Sequence, residues 1–127
     1  MSLHRLGAWP PVAPIRRVEV AGDSMLPALH AGDRLLVTPL CAIRVGDVVA
    51  LRDPRVPARV LVKRVSRVEA AARRVAVVGD NGAASTDSRA FGTVPLASLL
   101  GRCVYRYHPE DRRGGVGRGK EKSQPIS

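Results

Sequence analysis

Aromatic side chains are scarce in this 127-residue chain, which has one Phe, one Trp and two Tyr. An apolar fraction of 45% must therefore be carried by Val, Leu and Ala, and valine-rich cores favour strands. Cysteine is nearly absent. Cys41 and Cys103 lie far apart, with no Cys-x-x-Cys pair and no histidine cluster beside them, so neither a zinc site nor a disulfide framework is signalled. Both read as small core residues, and no metal or cofactor is expected. Long apolar runs are missing too. The opening segment MSLHRLGAWPPVAPIRR holds no signal-peptide core, and no stretch approaches the roughly 18 apolar residues of a spanning helix. The expectation is a cytoplasmic protein, or at most one peripheral to a membrane. Acidic residues number 11 against 21 Lys and Arg, a formal charge of +10. Such a balance attracts nucleic acid or anionic lipid without naming either. Here the arginines are scattered, without interleaved aromatics, so no nucleic-acid partner is expected and solubility is the simpler reading.

The length is that of one domain. Pro10, Pro11 and Pro14 give residues 1–16 the character of an extended arm. Alternating or continuous β-branched runs then predict strands over 17–20, 34–38, 47–52, 60–68, 74–78 and 101–107. Turn formers separate them: Gly32-Asp33, Gly46-Asp47, Asp53-Pro54 and Gly79-Asp80-Asn81-Gly82. Six short strands with tight turns predict a mainly β, antiparallel, barrel-like fold, closed or partly closed. Helix is limited to one turn over 25–29 and another over 95–100, with Pro95 at the first helical position. From Pro109 the text holds too few apolar residues to offset the cost of ordering, and 109–127 reads as a disordered tail.

Three segments carry candidate chemistry. Gly22-Asp23-Ser24-Met25-Leu26-Pro27 follows a strand and ends in proline. A serine on such a turn can expose its hydroxyl beside backbone N–H groups able to stabilise an oxyanion; taken alone, it reads as the N-cap of a short helical turn. His4, His30 and His108 are poorly placed as bases, in the arm, beside a turn and at the tail border. Lys63 lies inside the strand 60–68 with Leu61 and Val65 on its face. Desolvation there would favour the free amine, although a lone strand lysine commonly snorkels to water. The third segment is Gly79-Asp80-Asn81 with Ser85, Asp87, Ser88 and Arg89. Ser85 could orient the amine and an Asp87–Arg89 ion pair could brace the loop; an ordinary Asx-rich turn is the alternative.

Taken together and in order, these segments resemble the type I signal peptidases and their relatives in the LexA-like serine-lysine peptidase clan. The boxes are Val20 to Leu29 running on to Val37, Val45 to Val49, Leu61 to Val65, and Gly79 to Asn81 with Ser85, Asp87, Ser88, Arg89, Gly92, Val94 and Pro95. The resemblance implies a catalytic domain over 17–108, with Ser24 as nucleophile and Lys63 as general base. Ser85 would hold the lysine, and Asp87 and Arg89 would brace it. Gly22, Asp23, Met25 and Pro27 would frame the oxyanion and substrate pocket. Gly22 stands where some relatives carry serine, and Ala28 where threonine is frequent. No membrane anchor is expected. The short length and the text Gly32 to Val37 and Gly79 to Pro95 resemble the branch of nickel-type superoxide dismutase maturation proteases, which implies removal of an N-terminal leader from a precursor protein. Processing of exported preproteins at a membrane surface is the alternative. A DNA-binding regulator or a non-catalytic binding domain is the reading of another class.

Overall fold

The valine-rich segments all pair as strands in a computed structural model, which describes residues 15–39 and 42–117. Chain order gives β1 (Arg16–Glu19), β2 (Arg34–Thr38), β3 (Val48–Arg52), β4 (Val60–Glu69), β5 (Arg74–Val78), β6 (Val94–Pro95), β7 (Leu99–His108) and β8 (Gly114–Gly115). Every pairing is antiparallel. The spatial order is β1-β2-β7-β3-β4-β5-β6, with β8 added beside β7. The expected antiparallel β architecture is present, but the sheet is an open path with β1 and β6 at its ends and does not close on itself.

Alternation along β3 explains how an open sheet buries so much. Val48 and Ala50 enter one core with Met25, Leu35 and Val37, while Val49 and Leu51 enter a second with Val65, Val75 and Val77. A strand buried on both faces reads as a continuous apolar run, which is how 48–51 reads in the sequence. Cys103 belongs to the first core, where burial pushes its thiol up to about 12. Cys41, the arm over 1–14 and the tail beyond 117 lie outside the described residues.

Two Gly-Asp turns use one device. At Gly32-Asp33 and Gly46-Asp47 the glycine sits at φ 91° and 94°, a region L side chains avoid. The aspartate N–H donates to the carbonyl three residues back, His30 or Arg44. Its carboxylate in turn accepts from that same residue's N–H, at 2.9 and 2.8 Å. Both aspartates are buried, so each turn is closed by a group that would be costly to bury unpaired.

The helical expectations hold in part. Residues 25–29 form one turn, closed by Leu29 N–H on the Met25 carbonyl, that does not continue into a regular helix. Over 95–100 only Leu96–Ser98 is helical, as a 3-10 turn that Pro95 precedes in extended conformation; Leu99 and Leu100 already pair in β7. Disorder from Pro109 does not hold for the described part. Glu110–Arg112 form a 3-10 turn and Gly114–Gly115 pair with Arg106 and Tyr105, because Arg112 reaches buried Asp33 and Val116 packs on the first core.

Leu51→Ala, at a fully buried position of the central strand, should lower unfolding free energy by about 2–5 kcal/mol. A urea titration showing a reduced midpoint at unchanged slope checks this.

Candidate functional site

Lys63 occupies β4 opposite Val49 of β3, flanked on its face by Leu61 and Val65, both part of the second core. Only 4% of its surface is exposed, so the ammonium does not snorkel to bulk water. Burial lowers its proton affinity below the usual lysine value; Asp87 opposes that shift, and the nearby guanidinium groups of Arg55 and Arg89 reinforce it.

The polar loop after β5 meets this amine. Lys63 Nζ donates to Ser85 Oγ at 2.9 Å, and the Ser85 hydroxyl donates to Asp87 Oδ2 at 2.8 Å. Asp87 is 1% exposed and also accepts from Gly79 N–H at 2.9 Å and from Nε and Nη2 of Arg89 at 2.9 and 2.7 Å. Burial alone would raise its carboxyl, but Arg89, the Gly79 N–H and the Ser85 hydroxyl outweigh it and hold Asp87 well below the usual carboxylate range. Asp87 also caps the single helical turn Ser88–Phe91 by accepting from Arg89 N–H. Ser88 Oγ pins the same turn to Val77 N–H of β5.

Ser24 enters from the far side of the sequence. Asn81 N–H donates to its carbonyl at 2.8 Å, and Asn81 Nδ2 donates to the Asp23 carbonyl at 3.1 Å. A Cβ built on Gly79 would fall 2.3 Å from Ser85 Oγ and 2.6 Å from the Ser24 carbonyl. The serine turn and the lysine's partner therefore converge on a point only glycine leaves open. The Ser24 hydroxyl and its N–H are bonded to none of the described residues, which leaves both available at the half-exposed end of the turn. Gly22 (φ 75°), Asp23 and Pro27, after a cis Leu26–Pro27 bond, form the exposed rim of that turn. Met25 is fully buried beneath it.

Sequence reasoning gave Asp80 and Asn81 only a local turn role and left Arg64 without one. Arg64 points to the face of β4 opposite Lys63 and grips both Asp80 oxygens through its Nε and Nη2 at 2.7 and 2.8 Å, while its Nη1 donates to the Gly46 carbonyl. The available signal was alternation: two adjacent cations in an apolar strand must face opposite ways, so each needs its own partner. Among the described residues no group of three or more His, Cys, Asp or Glu side chains could hold a metal ion. An apolar cleft of about 430 Å³ lies near Ile43, Val68, Leu96 and Leu99, and none of the expected site residues lines it.

Residues 14–89 match the sequence model of a family described as Peptidase S24-like. The chain is 34% identical over 127 aligned positions, covering 80% of this chain and 76% of the relative, to the mitochondrial ATP-independent inner membrane protease subunit 1a of Arabidopsis thaliana. Subunit 1b of the same plant is 31% identical, over 76% and 72% of the two chains. A Synechocystis protein named "Probable signal peptidase I-1" is 24% identical, over 77% and 74%.

Gly79→Ala should destabilise the fold by about 1–3 kcal/mol, because the new methyl meets backbone at Ser24. Gly117→Ala, whose Cβ meets nothing within 4 Å, should stay within about 0.5 kcal/mol of the parent. Equal denaturation midpoints for the two variants would contradict the convergence described.

Proposed function

The chain belongs to the Peptidase S24-like family and is a serine-type peptidase, and from that premise we propose that it cleaves an N-terminal leader from a precursor protein with Ser24 as nucleophile and Lys63 as general base. The observation that carries this reading is the state of Lys63: a buried amine, disposed to lose its proton, whose one bonded partner among the described residues is the hydroxyl of Ser85. Because the Ser85 proton is committed to Asp87, Ser85 Oγ accepts an N–H from the lysine and leaves the amine lone pair free. The lone pair takes the Ser24 proton as Oγ attacks the scissile carbonyl, and returns it to the leaving amine as the acyl-enzyme forms. A water then attacks the ester, with Lys63 again accepting a proton and Ser24 regaining one. The uncommitted Ser24 N–H stabilises the oxyanion, Asp87 and Arg89 brace Ser85, and Gly22, Asp23 and Pro27 shape the rim of the pocket, while Met25, buried in the core beneath the turn, supports it without facing the substrate.

The sequence text from Gly32 to Val37 and from Gly79 to Pro95 supports a nickel superoxide dismutase precursor as the substrate. The relatives named for the mitochondrial inner membrane and for signal peptidase support a second reading, in which precursors are met at a membrane surface. No helix among the described residues is long and apolar enough to cross a membrane, and on this reading the basic chain docks peripherally on anionic lipid. Cleavage of a nickel superoxide dismutase precursor by the purified chain without lipid favours the first reading; cleavage only with anionic vesicles favours the second.

Ser24→Ala and Lys63→Met should each lower kcat on a leader-junction peptide by about 10³-fold or more, with circular dichroism unchanged. The active lysine is the free base, so the parent's rate should rise with pH and level off, with a midpoint below the ordinary lysine value of 10.5. Parental activity in either variant would refute the dyad.

Asp87→Asn removes a charge that favours protonated Lys63. The acid limb of the pH–rate profile should therefore move to lower pH, while the plateau falls because Ser85 exchanges a charged acceptor for a weaker neutral amide. A limb moved to higher pH would contradict the electrostatic assignment.

A further inference from the structure

Residues 109–117, which the composition marks as tail, make a set of contacts that a passive terminus does not need. Arg112 Nη2 donates to Asp33 Oδ1, and Asp33 is fully buried. Arg106 of β7 donates to Asp33 Oδ2 at 3.2 Å and to the Ala28 carbonyl at 3.1 Å, and its Nε donates to the Arg112 carbonyl. Asp33 also holds His30 N–H. The stretch from Ala28 to Asp33, which completes the turn begun at Ser24, is thus tied to β7 and to the 3-10 turn at Arg112. Farther along, Val116 N–H donates to the Val104 carbonyl and Val116 packs on the core that contains Met25 and Leu29. The Gly117 carbonyl lies 3.5 Å from Nη1 of Arg64, the residue whose other contacts grip Asp80 beside Asn81.

We propose that residues 109–117 form a clasp over β7 that positions the Ser24 turn, with Arg112 and Arg106 as positioning residues acting through Asp33. The inference rests on the assignment of Ser24 as nucleophile. Its physical basis is that two guanidinium groups meet one carboxylate with no accessible surface, where charge-assisted bonds are strong and directional. Burial alone would raise the Asp33 carboxyl, but His30 N–H, Arg112 and Arg106 hold it below its ordinary value, so the tie persists across the range in which Lys63 titrates. Neither arginine touches the expected reacting atoms. Their effect is on where Ser24 Oγ and its N–H sit, and a shift of about 1 Å there costs rate more than binding.

The test uses the full chain, a leader-junction peptide, and the variants Arg112→Ala and Arg112→Lys, assayed well below their melting temperatures with Ser24→Ala alongside. Arg112→Ala should lose about ten- to a hundredfold in kcat with KM within about twofold, and Arg112→Lys should recover part of the loss. Amide exchange should quicken over residues 24–33 and stay unchanged in β3, β4 and β5. If Arg112→Ala does not fold, Arg112→Gln, which keeps one donor, takes its place in the same comparison. Parental kcat in the arginine variant, or faster exchange spread evenly through the sheet, overturns the clasp. Activity surviving in Ser24→Ala would instead overturn the nucleophile assignment, and the exchange pattern would still decide whether the clasp holds the turn.

Discussion

The buried carboxylate of Asp87 is the group around which the candidate site is organised. A charge that deep is tolerated only when hydrogen-bonded on several sides, and Asp87 has Arg89, Gly79 N–H and the Ser85 hydroxyl around it. Each contact fixes a different part of the molecule. Arg89 fixes the helical turn at Ser88–Phe91, Gly79 fixes the end of β5, and Ser85 carries the arrangement to Lys63 on β4. Opposing the loss of any one of them is the desolvation of the carboxylate, so the loop behaves as a unit and not as a set of separable contacts.

Three other buried aspartates do comparable work at the edges of that unit. Asp33 and Asp47 close the Gly-Asp turns before β2 and β3, and Asp53 opens the connection to β4 with Arg55 paired to both of its oxygens. Arg55 also lies over the Phe91 ring at 5.7 Å, which links the β3–β4 connection to the helical turn braced by Asp87. The net charge of +10 therefore includes arginines committed to buried carboxylates, alongside others that remain exposed to solvent.

Much of this was legible because the governing patterns are short-range. Strands β2 and β5 follow from their β-branched runs with the bounds expected, and Lys63 stood out because an apolar strand flanks it on both sides. What could not be read were pairings set by three-dimensional closure. The strand at Val94–Pro95 is two residues long, too short for any periodicity, and exists because Arg74 and Val75 lie alongside it. The ordering of 109–117 depends on an aspartate some eighty positions earlier, a contact that no local composition records. The turn expected after Ser24 reads from propensity, and the chain closes it with Leu29 N–H on the Met25 carbonyl without continuing into a regular helix. Open and closed sheets share the same alternation, so the absence of closure was equally invisible.

The proposed chemistry depends on keeping Lys63 close to a carboxylate without allowing the two to pair. For a lysine to serve as a base near neutrality its proton affinity must fall by two to three pKa units, about 3–4 kcal/mol, and a direct ion pair with Asp87 would reverse that fall. Two features prevent it. Arg89 occupies the carboxylate from one side, satisfying its charge with a permanent cation that itself disfavours a second one nearby. Ser85 stands between amine and carboxylate, converting what would be a salt bridge into a relay of two hydrogen bonds through a neutral hydroxyl. A hydroxyl suits that position because it can give its proton to Asp87 and still accept one from the lysine, whereas a larger side chain would meet the point that Gly79 leaves open. The arrangement thus explains why a residue without charge, at Ser85, sits between the two charged partners: it supplies orientation to the amine while withholding the counterion that would keep it protonated.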